Sequence, residues 1–374
     1  MSPPGHFAGL PPPTPGKLVV YIFGPRPGEA QVIALPDGRW VVIDGCVQHG
    51  VNLPLALLRE HEVNRVDLLI ITHPDFDHYR GLAELIAALE VGDVWRYPGL
   101  ATQRDTVARL CDTDPAQGRW GELRGLLKAI DGLATDNRAH EVGLGYKAWP
   151  LHGEAPYCFE IVAPCSADRN AEMLRWQALF EKVRKGERLT DDEEGHLVIR
   201  RADEGRGNPL SLAVTLRWRD VGILFGGDVE ATSPAKKRGW DGILDWLERN
   251  EQLHLVSDLT LVKAAHHGSI NPVCERAWAL HAKTHPVHAV VTPFSGAKGQ
   301  PPHRGALSRI REHARRLSVT TQPHTEGWDA VTSAGWSRDA SAAGSGTACA
   351  LAFVFNPGSL EAEHWGADAA AFDP

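Results

Sequence analysis

The stretch Val66-Asp-Leu-Leu-Ile-Ile-Thr-His-Pro-Asp-Phe-Asp-His78 decides how the rest of the chain is read. Leu68–Ile71 is a short, branched, continuous apolar run, the pattern of a strand buried on both faces. Pro74 has no N–H to offer a ladder and closes that strand. Beyond Gly81, Leu82, Leu85, Ile86 and Leu89 recur at helical spacing, so a helix follows. His73, Asp75, Asp77 and His78 therefore sit on a strand-to-helix loop. Carboxyl ends of strands are where open α/β sheets keep their ligands.

Upstream, strands are expected at Leu18–Phe23, Ala30–Leu35 and Trp40–Gly45, with a tight turn at Pro36-Asp-Gly38. A helix at Leu53–His61 completes a meander that leads into a β-α-β pattern. Downstream, Val94–Tyr97 is a short strand, Thr106–Leu110 and Trp120–Ile130 are helical, and Cys158–Ala163 is a strand closed by Pro164. Residues 166–207 are highly charged and read as a surface insertion, helical over Met173–Val183. Ser211–Trp218 and Gly222–Phe225 form a hairpin that runs into Gly226-Gly-Asp228. After a helix at Trp240–Glu251, the strand Asp258–Ala265 ends in His266-His-Gly-Ser269. Strand His288–Thr292, helix Gly305–Arg316, strand Leu317–Thr321 and strand Cys349–Phe355 complete the order. Residues 17–356 form one domain in this reading. The Pro- and Gly-rich residues 1–16 are expected to be disordered or extended, and residues 357–374 loosely ordered.

With 374 residues the chain can bury a core without disulfides. Its formal net charge of -8 argues against coating duplex DNA by charge alone, though not against a local basic groove. Arg309, Arg311, Arg315 and Arg316 fall on one expected helix, and Lys236, Lys237 and Arg238 form a second basic cluster. Both read as solvated faces. The six cysteines show no metal-site or framework spacing and read as reduced thiols. The first residues lack a basic segment followed by an apolar core, and no apolar run is long enough to span a bilayer. The expectation is a cytoplasmic protein with no membrane partner.

Three features share one logic. The His73–His78 loop, Asp228 and the His266–His267 pair each follow a strand. If those strands are neighbours, imidazoles and carboxylates converge at one sheet edge, a suitable donor set for divalent metals. Asp228 is the natural bridge between two ions about 3.5–4 Å apart. Each feature has a plainer reading alone. Asp77 and His78 can cap a helix, Asp228 can be a turn residue, and the histidine pair can be a satisfied core pair. Their joint occurrence in compatible order favours the metal.

His73-Pro-Asp-Phe-Asp-His78 resembles the His-x-His-x-Asp-His signature of the metallo-β-lactamase superfamily, with Asp75 in place of the second histidine. The opening strands with Asp44-Gly45, the Phe225-Gly-Gly-Asp228 segment and Ala265-His-His-Gly-Ser269 are similar to the soluble hydrolase domain of ComEC-type competence proteins. Asn208–Val214 and Val290–His303 match that subgroup too, so the resemblance covers roughly residues 17–320. It implies an αββα sandwich: two mixed sheets face to face, helices outside, and a metal site at one sheet edge.

By the family pattern, His73 and Asp75 would hold one metal. Asp77, His78 and one histidine of the pair would hold the other, with His266 favoured because it comes first off the strand. Asp228 would bridge. His267 or His303 would donate a proton to the leaving group or bind a phosphate, and Ser269 would hydrogen-bond a phosphate oxygen. Asp44 would orient a ligand histidine or support the loop. Many superfamily members add an isolated histidine before the bridging aspartate. Here the corresponding strand ends Val162-Ala-Pro164, so the first metal is expected to lack a ligand. The oxygen-rich donor set suits two divalent ions, Mn²⁺ or Zn²⁺. Water bound to such ions becomes a hydroxide nucleophile near neutral pH. The implied activity is phosphodiester hydrolysis, most concretely by a nuclease acting on DNA rather than RNA. The alternatives are a small-molecule hydrolase of a cyclic nucleotide, lactone or phosphate ester, or a non-catalytic partner-binding protein. The 166–207 insertion is a candidate surface for a protein partner.

Overall fold

β-Branched and aromatic runs such as Leu18–Phe23, Trp40–Ile43 and Val221–Phe225, stopped by Gly24, Asp44 and Gly226, become strands of two mixed sheets. The structure is a computed structural model that describes residues 7, 9–25, 28–99, 118–150, 153–188, 190, 193, 208–231, 237–294, 300–321, 337–339, 349–367 and 370–373. The first strands are β1 (Leu18–Phe23), β2 (Ala30–Ala34), β3 (Trp40–Ile43), β4 (Val47–Gln48), β5 (Val51–Asn52), β6 (Arg65–Ile71), β7 (Glu90–Arg96), β8 (Ala139–Glu141) and β9 (Tyr157–Ala163). They are followed by β10 (Ala213–Trp218), β11 (Val221–Phe225), β12 (Leu261–Lys263), β13 (Val287–Val291), β14 (Ala314–Val319), β15 (Ser337–Asp339), β16 (Ala350–Phe355), β17 (Ala362–Ala367) and β18 (Ala370–Asp373). One sheet runs β17-β16-β1-β2-β3-β6-β7-β8 and the other β15-β18-β14-β13-β12-β11-β10-β9, while β4 and β5 form a separate short ribbon.

Strand direction places the site. β3 and β6 are parallel, so the residues after Ile43 and Ile71 emerge at one end of the first sheet. β11, β12 and β13 are parallel to one another, so the residues after Phe225, Lys263 and Val291 emerge together from the second. The N–H of Leu212 donates to the Thr72 carbonyl and ties the two sheets at that end. Of the strands that carry the three motifs, β11 and β12 are neighbours in the second sheet, as the sequence reading required, but β6 lies in the first. Their ends meet across the gap between two sheets.

Val20, Ile22 and Val32 of the first sheet share one apolar cluster with Phe159, Leu216 and Phe225 of the second. Leu57, Leu85 and Leu126, from helices Leu53–Glu60, Leu82–Ala88 and Gly118–Ala134, join that cluster from the first sheet's side. A second cluster holds Ile243, Trp278 and Leu307, from helices Gly239–Arg249, Glu275–His281 and Arg304–Arg311, against the second sheet. This is the expected αββα arrangement.

Several boundaries differ from expectation. Within the segment expected as a loose tail, Ala362–Ala367 (β17) pairs antiparallel with β16, and Ala370–Asp373 (β18) lies between β14 and β15. Among the described residues β17 is the edge strand beside β16 and β18 joins β15 to β14, pairings that local composition does not reveal. The helix expected at Gly305–Arg316 stops at Arg311, because Ala314, Leu317 and Val319 are buried in β14 beside β13. Arg315 and Arg316 therefore lie on a strand, not on one helix with Arg309 and Arg311. The charged insertion is not all surface decoration. Its helix, Ser166–Arg184, starts at once after Pro164 and buries Trp176 and Leu179 in the core. Asp168 accepts from Arg238 Nε at 2.9 Å and from the Gly239 N–H at 2.8 Å. At the N-terminus, Phe7 packs edge-on against Phe23, with ring centroids 5.9 Å apart. The helix expected at Thr106–Leu110, Lys236, and residues 189–207 apart from 190 and 193 lie outside the described residues. Among the described residues no helix is long and apolar enough to cross a membrane.

Candidate metal centre

After β6 the chain turns through Pro74 into a one-turn helix, Phe76–Tyr79. Asp75 occupies the position before that helix but makes no side-chain capping bond. Its carboxylate instead lies 3.6 Å from His73 Nε2. Asp228 is delivered by Gly226-Gly227. Gly227 has a φ of 50°, and a Cβ there would stand 2.2 Å from the Leu212 carbonyl oxygen. Glycine alone allows so close a pass. The Asp228 N–H then donates to Ser211 Oγ at 2.8 Å.

His266 and His267 both have left-handed backbone, with φ of 48° and 55°. Such φ values are uncommon outside glycine, and two in succession are a form of strain that clusters at functional sites. The turn sends the two rings to different partners. His266 Nε2 lies 3.8 Å from Asp228 Oδ2, and His267 Nε2 lies 3.2 Å from Asp77 Oδ2. The sequence reading favoured His266 as the companion of Asp77 and His78. The structure sets His267 there instead and puts His266 on the other side of Asp228.

Two donor sets result. In one, His73 Nε2 is 3.6 Å from Asp75 Oδ2 and 3.5 Å from Asp228 Oδ2, the oxygen that His266 also faces. In the other, His78 Nε2 is 3.7 Å from Asp77 Oδ2 and 3.6 Å from Asp228 Oδ1. Asp228 thus turns one oxygen to each set.

Three of the four imidazoles are fixed from behind. Nδ1 of His78 meets Asp44 Oδ2 at 2.8 Å, and Nδ1 of His73 meets Thr72 Oγ at 2.9 Å. Nδ1 of His267 meets the Thr292 carbonyl at 2.8 Å and Glu29 Oε2 at 3.3 Å. Nδ1 of His266 is 3.7 Å from Glu230 Oε1. The Nε2 atoms of His73, His78 and His267 are thereby turned inward, whereas Nδ1 of His266 is buried without a hydrogen-bond partner. Second partners of this kind commonly orient metal-binding histidines.

Charge is dense here. Burial opposes charge on His73, yet Asp228 and Asp75 lift it well above its ordinary value. His78 is disfavoured by burial and by the like charge of His73, but Asp228, Asp77 and Asp44 raise it to about 9. Burial opposes ionisation of Asp77 too, and His78 and His267 bring it down to about 2. Asp228, though buried, is held well below the carboxylate range by His266, His78 and His73.

Of the other expected site residues, Ser269 is buried and its N–H donates to the His266 carbonyl at 2.8 Å. His303 Nδ1 accepts from the Ile270 N–H at 3.3 Å, which sets it against the same turn. Glu29, Glu230 and Asn208 were not among the expected site residues. Asn208 Nδ2 donates to Asp228 Oδ2 at 3.0 Å and stands 3.4 Å from Asp75 Oδ2. Glu230, two residues past the bridge, carried a usable spacing signal. Glu29, a lone carboxylate entering an apolar strand, carried little.

The sequence model described as "Metallo-beta-lactamase superfamily" matches residues 23–253, and the chain belongs to that superfamily. No curated protein matches it. Among solved structures it is similar to the hydrolase AbOPH of the beta lactamase superfamily, at 15% identity over 54% of this chain and 55% of that one, with a TM-score of 0.30. This chain thus spans about half the length of that hydrolase. It is also similar to the metallo-beta-lactamase fold protein YhfI from Bacillus subtilis, at 8% identity over 81% of this chain and 95% of that one, with a TM-score of 0.40. A diphosphatase from the PhnP family aligns at 10% identity over 77% of this chain and 89% of that one, with a TM-score of 0.35.

Proposed function

We propose that this superfamily member is a metal-dependent phosphodiester hydrolase, a nuclease similar to the ComEC-type hydrolase domain, using two divalent ions, Mn²⁺ or Zn²⁺. The observation that carries the metal centre is the division of the Asp228 carboxylate, Oδ2 toward His73 and His266 and Oδ1 toward His78. His73 Nε2, His78 Nε2 and Asp228 Oδ1 are buried without a hydrogen-bond partner. Orphaned polar atoms in a native interior need an explanation, and an ion is one. Donors that share an ion at about 2.0–2.2 Å stand roughly 3–3.6 Å apart, close to the spacings here. His73, Asp75, His266 and Asp228 would hold one ion; Asp77, His78, His267 and Asp228 the other.

When bound, such ions lower the pKa of water toward neutrality and offset charge on a phosphoryl oxygen. The chain's own residues orient and position. Asn208 steadies Asp228, and Asp44 and Thr72 fix the first two imidazoles. His267 is read as a donor rather than a proton carrier, since it is 2% exposed and committed at both ring nitrogens. That leaves His303 and Ser269 for the substrate phosphate. The nucleic-acid preference rests on the ComEC-type resemblance.

Metal content by elemental analysis, followed by cleavage of single-stranded DNA with the matched ion, tests the reading. Asp228→Ala is expected to lose both ions and all cleavage, and Asp77→Ala to lose cleavage with the second ion. Unchanged cutting by either variant removes the assigned centre. Turnover of cyclic nucleotides or small esters with no oligonucleotide cleavage would keep the centre and replace the nuclease with a small-molecule hydrolase.

A further inference from the structure

A fully buried ion pair lies behind the candidate centre. Glu29, just before β2, is 1% exposed, and Lys263, the last residue of β12, is 0% exposed. Their side chains meet directly across the gap between the two sheets. A buried ion pair adds little stability over an apolar pair of the same size, because removing two charges from water costs about what their attraction returns. Its position offers a better account. Glu29 Oε1 takes Lys263, while Oε2 accepts from Thr292 Oγ at 2.6 Å and lies 3.3 Å from His267 Nδ1. The Glu29 N–H donates to the Asp77 carbonyl at 3.1 Å. The preceding Gly28 has a φ of 124°, and a Cβ there would stand 3.1 Å from Cys46 Cβ. One residue therefore touches the backbone of Asp77, the ring of His267 and the strand that leads into the histidine turn.

We propose that the Glu29–Lys263 pair is a positioning device for His267, pinning its ring against Asp77 and so setting the affinity of the donor set built from Asp77, His78 and His267. The inference rests on the metal-centre reading for its affinity arm only. Lys263 holds the Glu29 carboxylate in place, and the carboxylate backs the Nδ1 side of His267 beside the nearer Thr292 carbonyl at 2.8 Å. The inward Nε2 is kept at 3.2 Å from Asp77 Oδ2. Among the described residues no ion pair joins Glu29 or Lys263 to His73, Asp75 or His266.

The test is a Zn²⁺ titration of chelator-stripped protein, comparing the wild type with Glu29→Gln/Lys263→Met, in which both charges are removed together so that neither is left buried alone. The double variant is expected to weaken one of two sites about 10–100-fold, the usual effect of losing such a partner, and to leave the other unchanged. In a His267→Ala background the same pair of changes is expected to add less than about threefold, because residues acting through one another are not additive. Wild-type affinity at both sites, equal weakening of both, or full additivity would each overturn the inference. A wild type that takes up no zinc ends the metal reading instead. The pair is then judged on metal-free protein by ring ¹⁵N shifts of His267. A changed signal in the double variant supports the positioning role, and an unchanged one removes it.

Discussion

Asp44 accepts three hydrogen bonds: the Thr72 N–H at 2.8 Å on Oδ1, and on Oδ2 the Thr72 hydroxyl at 2.6 Å and His78 Nδ1 at 2.8 Å. An anion can accept at every one of these points, and an amide of the same shape cannot. Asp44→Asn sets its NH₂ against a donor in either orientation. The expected result is a loss of about 10–100-fold in affinity for added Zn²⁺ or Mn²⁺, with about 1–3 kcal/mol lost from stability. Calorimetric titration and denaturant melts read the two effects, and unchanged metal affinity would refute the role. Asp44 also marks what could be read at this scale. A carboxylate at a strand end was visible as a candidate support for a ligand histidine. The assignment of His266 and His267 to opposite sides was not, since it depends on two consecutive left-handed φ angles that residue type does not announce.

Between elements, the turns decide where a donor lands. Gly227 brings Asp228 under the Leu212 carbonyl, and a methyl there would also come within 2.7 Å of Ser211 Oγ, which receives the Asp228 N–H. Gly38, in the β2–β3 turn, has a φ of 90° with nothing within 4 Å of a built Cβ. The two positions separate backbone strain from collision. Gly38→Ala is expected to cost about 1 kcal/mol for the left-handed conformation alone. Gly227→Ala adds a backbone clash and is expected to cost several-fold more while also weakening metal uptake. Thermal melts with and without Zn²⁺ compare them, and equal losses would show that the close pass does not matter. Strand runs such as Leu68–Ile71 and Gly222–Phe225 were legible because continuous apolar residues have few other uses. Which sheet each strand joins was not legible, because partner choice lies in long-range contacts. The Arg304–Arg311 helix was overextended for the same reason: β14 claims Ala314 onward through pairing with β13.

Over the whole molecule, the C-terminal strands close edges on both sheets. Six residues of β17 pair with Ala350–Phe355, a strand whose every residue is buried, and β18 pairs with Leu317–Val319. His364 brings its ring 5.5 Å from that of His288, which itself packs edge-on against Phe353 at 5.0 Å, so this segment also reaches the contact between the sheets. Trp365 packs partly buried against the main core. Removing residues 361–374 would strip these contacts and leave β16 as a bare apolar edge, a template for pairing with another chain. The truncated chain is expected to melt about 5 °C or more below the full one and to self-associate as concentration rises. The donors of the centre lie on the β6, β11 and β12 ends, so metal uptake by the folded fraction is expected to persist. Scanning calorimetry, light scattering and zinc content on the same samples measure all three. A truncated chain that melts with the full one and stays monodisperse would show that the late strands are incidental to the sandwich.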